Sequence, residues 1–134
     1  MFEEFSLKKI LIVDDSDILR KRLIEAILSE NIQLEIYEAD SPSTGLNSFF
    51  KHHQEIVILD NAFPVGTGLD IISNIKAEHP QTVLIMLTNY PHEKVKLRAI
   101  QLGVDYFLDK SNEFETAVKI IAEWSEKDLS FNRL

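Results

Sequence analysis

The stretch EIVILDN (55–61) is the most apolar run of the chain, and it ends abruptly on an acid, Asp60. Three β-branched residues and a leucine in succession, with no polar alternation, read as a strand buried on both faces, and its place is the centre of a sheet. Working outward, three more short apolar runs end in the same manner. KKILIV (8–13) runs into Asp14 and Asp15, TVLIML (82–87) into Thr88, and VDYFL (104–108) is soon followed by Lys110. A fifth run, LEIYEA (34–39), alternates like a strand with one more open face.

Helical spacing fills the intervals. Leu19, Leu23, Ala26 and Ile27 place a helix from Asp17 to about Ser29. Ser41-Pro42 starts the next, which runs to about His52, with serine as cap and proline at the first helical position. Pro64, Gly66 and Gly68 mark a loop, and a helix with Leu69, Ile72 and Ile75 inward follows to about Glu78, where His79-Pro80 stops it. Pro91 opens a fourth helix that Gly103 closes as a left-handed cap. Asn112 to about Ser125 is the fifth, with Phe114, Ala117, Val118 and Ile121 on one stripe. Ile120 and Trp124 fall off that stripe and form either an exposed docking patch or peripheral packing under the tail. Five strands alternating with five helices predict an α/β fold: a doubly wound parallel sheet covered on both faces.

Ligands in open α/β sheets sit beyond the carboxyl ends of the strands. Asp14, Asp15, Asp60, Thr88 and Lys110 all fall at that edge. Three carboxylates crowded together repel unless a cation or protons balance them. Mg²⁺ fits such a set, since it takes oxygen ligands and binds through one or two carboxylates plus a phosphate. A carboxylate is also a nucleophile able to form an aspartyl phosphate, and Asp60, alone at the end of the most apolar strand, is the candidate. Lys110 then pairs with phosphoryl oxygens as a point charge, and the Thr88 hydroxyl donates to another. Taken singly, each residue reads as a helix cap, a turn or a solvated charge; the joint placement of all five is what carries the chemistry. The four histidines, at 52, 53, 79 and 92, lie at helix ends or beside prolines, and His52-His53 reads as a solvated helix end.

Composition narrows the class. The chain has 134 residues, which predicts one domain with a core over about 7–126 and a short tail at 127–134. Cysteine is absent, which excludes a disulfide framework and a thiolate metal site. No run reaches the length of a membrane span, and the start MFEEFSLKK lacks a signal peptide's basic opening, so the expected location is cytoplasmic, with no membrane contact. Net charge is 14 − 22 = −8, which argues against direct nucleic-acid binding.

The spaced set of Asp14/Asp15, Asp60, Pro64 four residues later, Gly68 eight residues later, Thr88, Gly103 and Lys110 resembles a response-regulator receiver domain, the phosphoacceptor module of two-component signalling. The resemblance spans about Leu7 to Ser125. It implies a flavodoxin-like, chemotaxis-regulator-like fold with strand order 2-1-3-4-5. It implies Asp60 as the phosphorylation site, with Mg²⁺ held by Asp15, Asp60 and the backbone carbonyl of Ala62, and Asp14 reaching the metal through water. Thr88 and Lys110 contact the phosphoryl group, and Thr88 with Phe107 forms the switch that alters the surface of the fourth helix, fifth strand and fifth helix. The implied partners are a sensor histidine kinase or phosphotransfer protein and a downstream protein target, with homodimers through helices 4 and 5. Such a module is no enzyme in the metabolic sense, since it catalyses only its own phosphorylation and dephosphorylation.

Three departures stand out. Ser111 occupies the place of the family's usual cis proline after the lysine, leaving the Lys110–Ser111 bond either trans or strained. Asn89-Tyr90 is bulkier than the usual small residue after the threonine, which predicts altered dephosphorylation by water. Phe107 lacks the hydroxyl of the common tyrosine, so a switch there works through packing alone. Three rival readings remain: a phosphorelay intermediate that passes its phosphoryl group to a histidine on another protein, a phosphorylation-independent docking module, and a Mg²⁺-dependent phosphohydrolase, which is disfavoured because Ala62 stands where such enzymes carry a second acid.

Overall fold

The computed structural model describes residues 7–89 and 91–127; the acidic start, Tyr90 and residues 128–134 of the expected tail lie outside the described residues. In chain order the elements are β1 (Lys8–Val13), α1 (Asp17–Ser29), β2 (Leu34–Ala39), α2 (Pro42–His52), β3 (Ile56–Leu59), α3 (Leu69–Glu78), β4 (Val83–Thr88), α4 (Glu93–Leu102), β5 (Tyr106–Asp109) and α5 (Phe114–Glu126). The five strands pair in parallel in the order β2-β1-β3-β4-β5, so the expected doubly wound sheet is present, with the EIVIL run at its centre.

Pleating divides the strand residues between two cores. Ile10, Ile12, Ile56, Ile58, Val83, Ile85 and Leu87 face one side, where Leu19, Leu23 and Ile27 of α1 and Ala117, Val118 and Ile121 of α5 cover them. Leu11, Val13, Val57, Leu59, Leu84 and Met86 face the other, under Phe49 of α2, Ile71, Ile72 and Ile75 of α3, and Ala99 of α4. β1, β3 and β4 are apolar almost throughout because both of their faces are covered. Each fully buried leucine or isoleucine contributes roughly 1.5–3 kcal/mol.

Local signals set the boundaries. Ser16 caps α1, its Oγ accepting the Leu19 N–H at 3.2 Å. Ser41 and Thr44 form a reciprocal capping box ahead of α2, with Pro42 at the first helical position. Gly103 closes α4 at φ 115°, and the next N–H, that of Val104, donates to the Ala99 carbonyl at 3.0 Å. That bond holds Val104 in the helix terminus, which is why β5 starts at Tyr106 and not at 104 as its apolar run suggests. α4 likewise begins at Glu93, beyond Pro91, because the first closed turn is the Lys96 N–H to the His92 carbonyl at 2.9 Å. At the start of α5 the N–H groups of Asn112 and Glu113 are taken by the Asp109 carbonyl, so the helix opens at Phe114.

Two side-chain expectations are resolved. Ile120 is buried in the core beneath α5, and Trp124 packs on the same cluster while its indole N–H donates to the Tyr106 hydroxyl at 3.0 Å. These residues are packing, not an exposed patch. His53 is more than a solvated helix end. It caps α2 in the left-handed region at φ 49°, its Nε2 lies 3.0 Å from Glu78 Oε2, and its ring stacks on His79 at a 6.0 Å centroid distance. The pair ties the end of α2 to the end of α3.

Gly68 opens α3 directly against the end of β3. A Cβ there would fall 2.1 Å from the Asp60 carbonyl oxygen and 3.1 Å from the Leu59 side chain. Gly68→Ala must therefore push α3 or the Asp60 backbone aside. The expected cost is about 1–3 kcal/mol of unfolding free energy in urea titration, the range for overpacking a tight site; an unchanged midpoint would show that the contact is soft.

Candidate functional site

Parallel pairing brings four strand ends to one edge. β1 continues one residue into that edge, since the Asp14 N–H donates to the Ala39 carbonyl at 3.0 Å. This fixes Asp14 inward, only 1% exposed, and leaves Asp15 exposed where the chain turns toward α1. On the central strand the Asp60 N–H donates to the Val13 carbonyl at 3.0 Å, so Asp60 stands beside the acidic pair and is 5% exposed. Carboxylate oxygens of Asp14, Asp15 and Asp60 lie within 4.8 Å of one another, a group able to hold a metal ion.

Lys110 reaches this cluster from the far side of β4. Its Nζ lies 2.7 Å from Asp14 Oδ2 and 3.0 Å from Asp60 Oδ2, and its backbone N–H donates to the Thr88 carbonyl at 3.0 Å. Thr88 is fully buried at the end of β4. The other oxygen of Asp60, Oδ1, accepts the N–H groups of Asn61 at 2.7 Å and Ala62 at 3.4 Å, so both carboxylate oxygens are oriented. Phe107 is half-buried on β5 and packs on the α2–α3–α4 side, whereas Tyr106 packs on the α1–α5 side. No peptide bond among the described residues is cis, so Lys110–Ser111 is trans. Asn89 is exposed and lines, with Ser16, Ile18, Arg22, Lys110 and Phe114, a groove of about 630 Å³ beside the acids.

Sequence reasoning missed Arg20. Its Nη1 donates to the Asp14 carbonyl at 2.5 Å, its Nε bonds Glu38 at 2.9 Å and its other nitrogen bonds Asp17. The guanidinium thus clamps the turn that carries the acidic pair. Arg20, Lys21 and Arg22 are consecutive and chemically alike, and only the helix register decides which one turns back.

The electrostatics are unbalanced, with three carboxylates facing one ammonium. At Asp14, removal from water dominates and raises the carboxyl above its ordinary 3.8, against the lowering effect of the bonds from Lys110 and the Ser16 N–H. At Lys110, burial alone would lower the ammonium, but the bonds and charges of Asp14 and Asp60 outweigh it and the net shift is upward. An isolated ion pair would move its acid down and its base up. Here both move up, because dehydration decides at Asp14 and Asp60 adds a second negative charge beside it. A divalent cation relieves that surplus, so the donor set fits Mg²⁺ in both chemistry and charge.

The raised value at Asp14 has a defined sign. The folded protein holds this proton more tightly than the unfolded chain, so the contribution is complete below 3.8 and is lost as pH rises through the raised folded value. Asp14→Asn cannot ionise. Without metal, its melting temperature should match wild type most closely at the acid end and exceed it increasingly toward neutral pH. A difference that shrinks as pH rises would assign Asp14 the opposite direction.

Comparison with known proteins agrees with this geometry. The response regulator receiver domain family matches residues 10–122. The transcriptional regulatory protein YdfI of Bacillus subtilis is 30% identical over 110 residues, covering 82% of this chain and 51% of that protein. The chemotaxis protein CheY of Halobacterium salinarum is 25% identical over 116 residues, covering 87% of this chain and 95% of that protein. The chain thus spans about half the length of the Bacillus regulator and nearly all of the Halobacterium protein. Among solved structures, the chemotaxis protein CheY4 of Vibrio cholerae superposes with a TM-score of 0.76 at 23% identity, covering 88% of this chain and 98% of that one. The BeF3-activated receiver domain of DrrB, from Thermotoga maritima, gives 0.79 at 23% identity, covering 91% and 100%. With its sheet order, its acidic edge and the family match over most of its length, the chain belongs to the response regulator receiver domain family.

Proposed function

We propose that Asp60 accepts a phosphoryl group from a phosphohistidine donor, a sensor histidine kinase or a phosphotransfer protein, and that the aspartyl phosphate controls contacts with a downstream protein. The observation that carries this reading is the placement of Asp60 Oδ2 at 3.0 Å from Lys110 Nζ within a cluster of three carboxylates. In the transfer an Asp60 oxygen attacks phosphorus in line, the P–N bond to the donor histidine breaks, and the imidazole leaves. Asp15, Asp60 and the Ala62 carbonyl would hold Mg²⁺ directly, with Asp14 acting through water. When bound, the ion supplies positive charge to the phosphoryl oxygens and lets the acids approach the dianion. Lys110 supplies the second positive charge, preorganised in a dehydrated site where such contacts are strongest. To engage the phosphoryl group Lys110 must leave one of its two present carboxylates, and Asp14 is the one freed for the metal. The protein catalyses only its own phosphorylation and dephosphorylation.

The readout proposed for this chain runs through Thr88 and Phe107. Thr88 donates to the new phosphoryl group, and Phe107 repacks against the space left, by packing alone since it carries no hydroxyl. The affected surface is α4–β5–α5. α4 carries exposed Leu97 and Ile100, which suit a partner or a second copy of the chain, and exposed Lys94, Lys96 and Arg98 beside them. Trp124 is committed to packing, so a homodimer through α4 and α5 would rest on the α4 residues. No described helix is long and apolar enough to cross a membrane; a cytoplasmic location, where such kinases present their phosphohistidine, is part of the proposal.

Incubation with Mg²⁺ and acetyl phosphate, followed by intact mass measurement, tests the reading. Wild type should gain one phosphoryl adduct, and Asp60→Asn or chelation of the metal should abolish it. Lys110→Ala should slow formation by about 10²–10³-fold, the effect of removing one preorganised charge from a developing oxyanion. A wild-type protein that gains no adduct from any competent donor would favour the phosphorylation-independent docking module instead. Transfer of the adduct onward to a histidine protein would place it within a phosphorelay.

A further inference from the structure

Where the family's usual proline would follow the lysine, this chain has Ser111, yet the Lys110 ammonium still lies 2.7 Å from Asp14 and 3.0 Å from Asp60. Something other than a prolyl ring aims it. The Asp109 carboxylate oxygen Oδ1 accepts both the Ser111 N–H at 2.9 Å and the Ser111 hydroxyl at 2.7 Å, closing a side-chain turn directly around Lys110. The Asp109 carbonyl accepts the N–H groups of Asn112 at 3.3 Å and Glu113 at 2.7 Å, and Glu113 Oε1 returns to accept the Asp109 N–H at 2.9 Å. The backbone on both sides of Lys110 is therefore held, at Asp109 by Glu113 and at Ser111 by the Asp109 carboxylate, while the Lys110 N–H is held by the Thr88 carbonyl.

We infer that Asp109 is a positioning residue for Lys110, its carboxylate acting through Ser111 to build the turn that aims the ammonium into the acidic pocket, while Glu113 holds the Asp109 main chain. The inference rests on the reading of Lys110 as the phosphoryl contact. The Asp109 carboxyl is held below the usual carboxylate range by its bonds to Ser111, so it remains an ionised acceptor at neutral pH. A lysine side chain has four rotatable bonds, and without a fixed backbone origin its ammonium has many positions at similar energy. Misplacement of a charged group by about 1 Å is enough to cost roughly 10²-fold in rate.

The test compares the intact wild-type chain with Asp109→Ala, which removes the acceptor, Asp109→Asn, which keeps one, and Lys110→Ala. Two readouts are taken: the rate of phosphorylation by acetyl phosphate at saturating Mg²⁺, and the Lys110 ammonium resonance in a nitrogen–proton correlation spectrum of the apo protein. Asp109→Ala should slow phosphorylation by roughly 10–100-fold and broaden the ammonium signal into exchange with water, while Mg²⁺ affinity stays near wild type. Asp109→Asn should recover most of both. If Lys110→Ala is slow but Asp109→Ala keeps the wild-type rate and a sharp ammonium signal, the positioning role is refuted and the functional reading stands. If Lys110→Ala is as fast as wild type, the functional reading of Lys110 fails, and the ammonium signal of Asp109→Ala alone decides whether Asp109 aims it. Equal losses in Asp109→Asn and Asp109→Ala, in proportion to lowered melting temperature, would reduce Asp109 to a general stabiliser.

Discussion

One ammonium shared by two buried carboxylates sets the terms for everything at this sheet edge. Lys110 lies within hydrogen-bonding distance of both Asp14 and Asp60, and Asp15 stands alongside; the nearby Arg20 guanidinium is bonded to the Asp14 main-chain carbonyl, Glu38 and Asp17. Such an arrangement is costly in isolation, because each charge gives up hydration and the acids repel. It persists because the surrounding structure leaves the side chains nowhere else to go. Asp14 and Asp60 are anchored through their own N–H groups to the neighbouring strands, and Asp60 is further held through Oδ1. A divalent cation among these acids would offset that repulsion.

The rest of the fold serves to keep those anchors rigid. With β1, β3 and β4 covered on both faces, the strand ends cannot shift without disturbing two cores at once. Gly68 brings α3 close against the Asp60 carbonyl, and at Gly45 of α2 an added Cβ would fall 2.9 Å from the Val13 side chain, so both helices sit against the sheet at a range only glycine allows. Arg20 completes the enclosure by holding the Asp14 carbonyl from α1. Rigid strands and an unbalanced pocket are thus two halves of one design: the scaffold absorbs the electrostatic strain that the site requires.

Most of this was legible in the sequence because the strongest signals were hydrophobic. Apolar runs such as IVIL and VLIML admit one reading, and the residue after each run necessarily lands at the carboxyl edge. Strand and helix ends were less legible where hydrogen bonds override composition. Val104 reads as strand but is held by the α4 terminus, and Pro91 reads as a helix start but lies outside α4. Ile120 and Trp124 could not be placed from periodicity, since the stripe of α5 is wider than the ideal one and the Trp124–Tyr106 bond joins residues distant in sequence. Arg20 and Asp109 were invisible for a related reason: Arg20 bonds a main-chain carbonyl and an acid from a neighbouring strand, and Asp109 closes a short-range turn, none of which leaves a pattern of residue types to read.

The fifth strand has a mechanical property that follows from its two aromatic neighbours. Phe107 is seated in one layer and Tyr106 in the opposite one, and the latter is coupled through its hydroxyl to the indole near the end of α5. This strand could therefore not slide without disturbing the packing on both faces of the sheet. Lys110 lies one residue beyond the strand. Any displacement of Lys110 would thus bear on a strand whose aromatic side chains are seated in both layers.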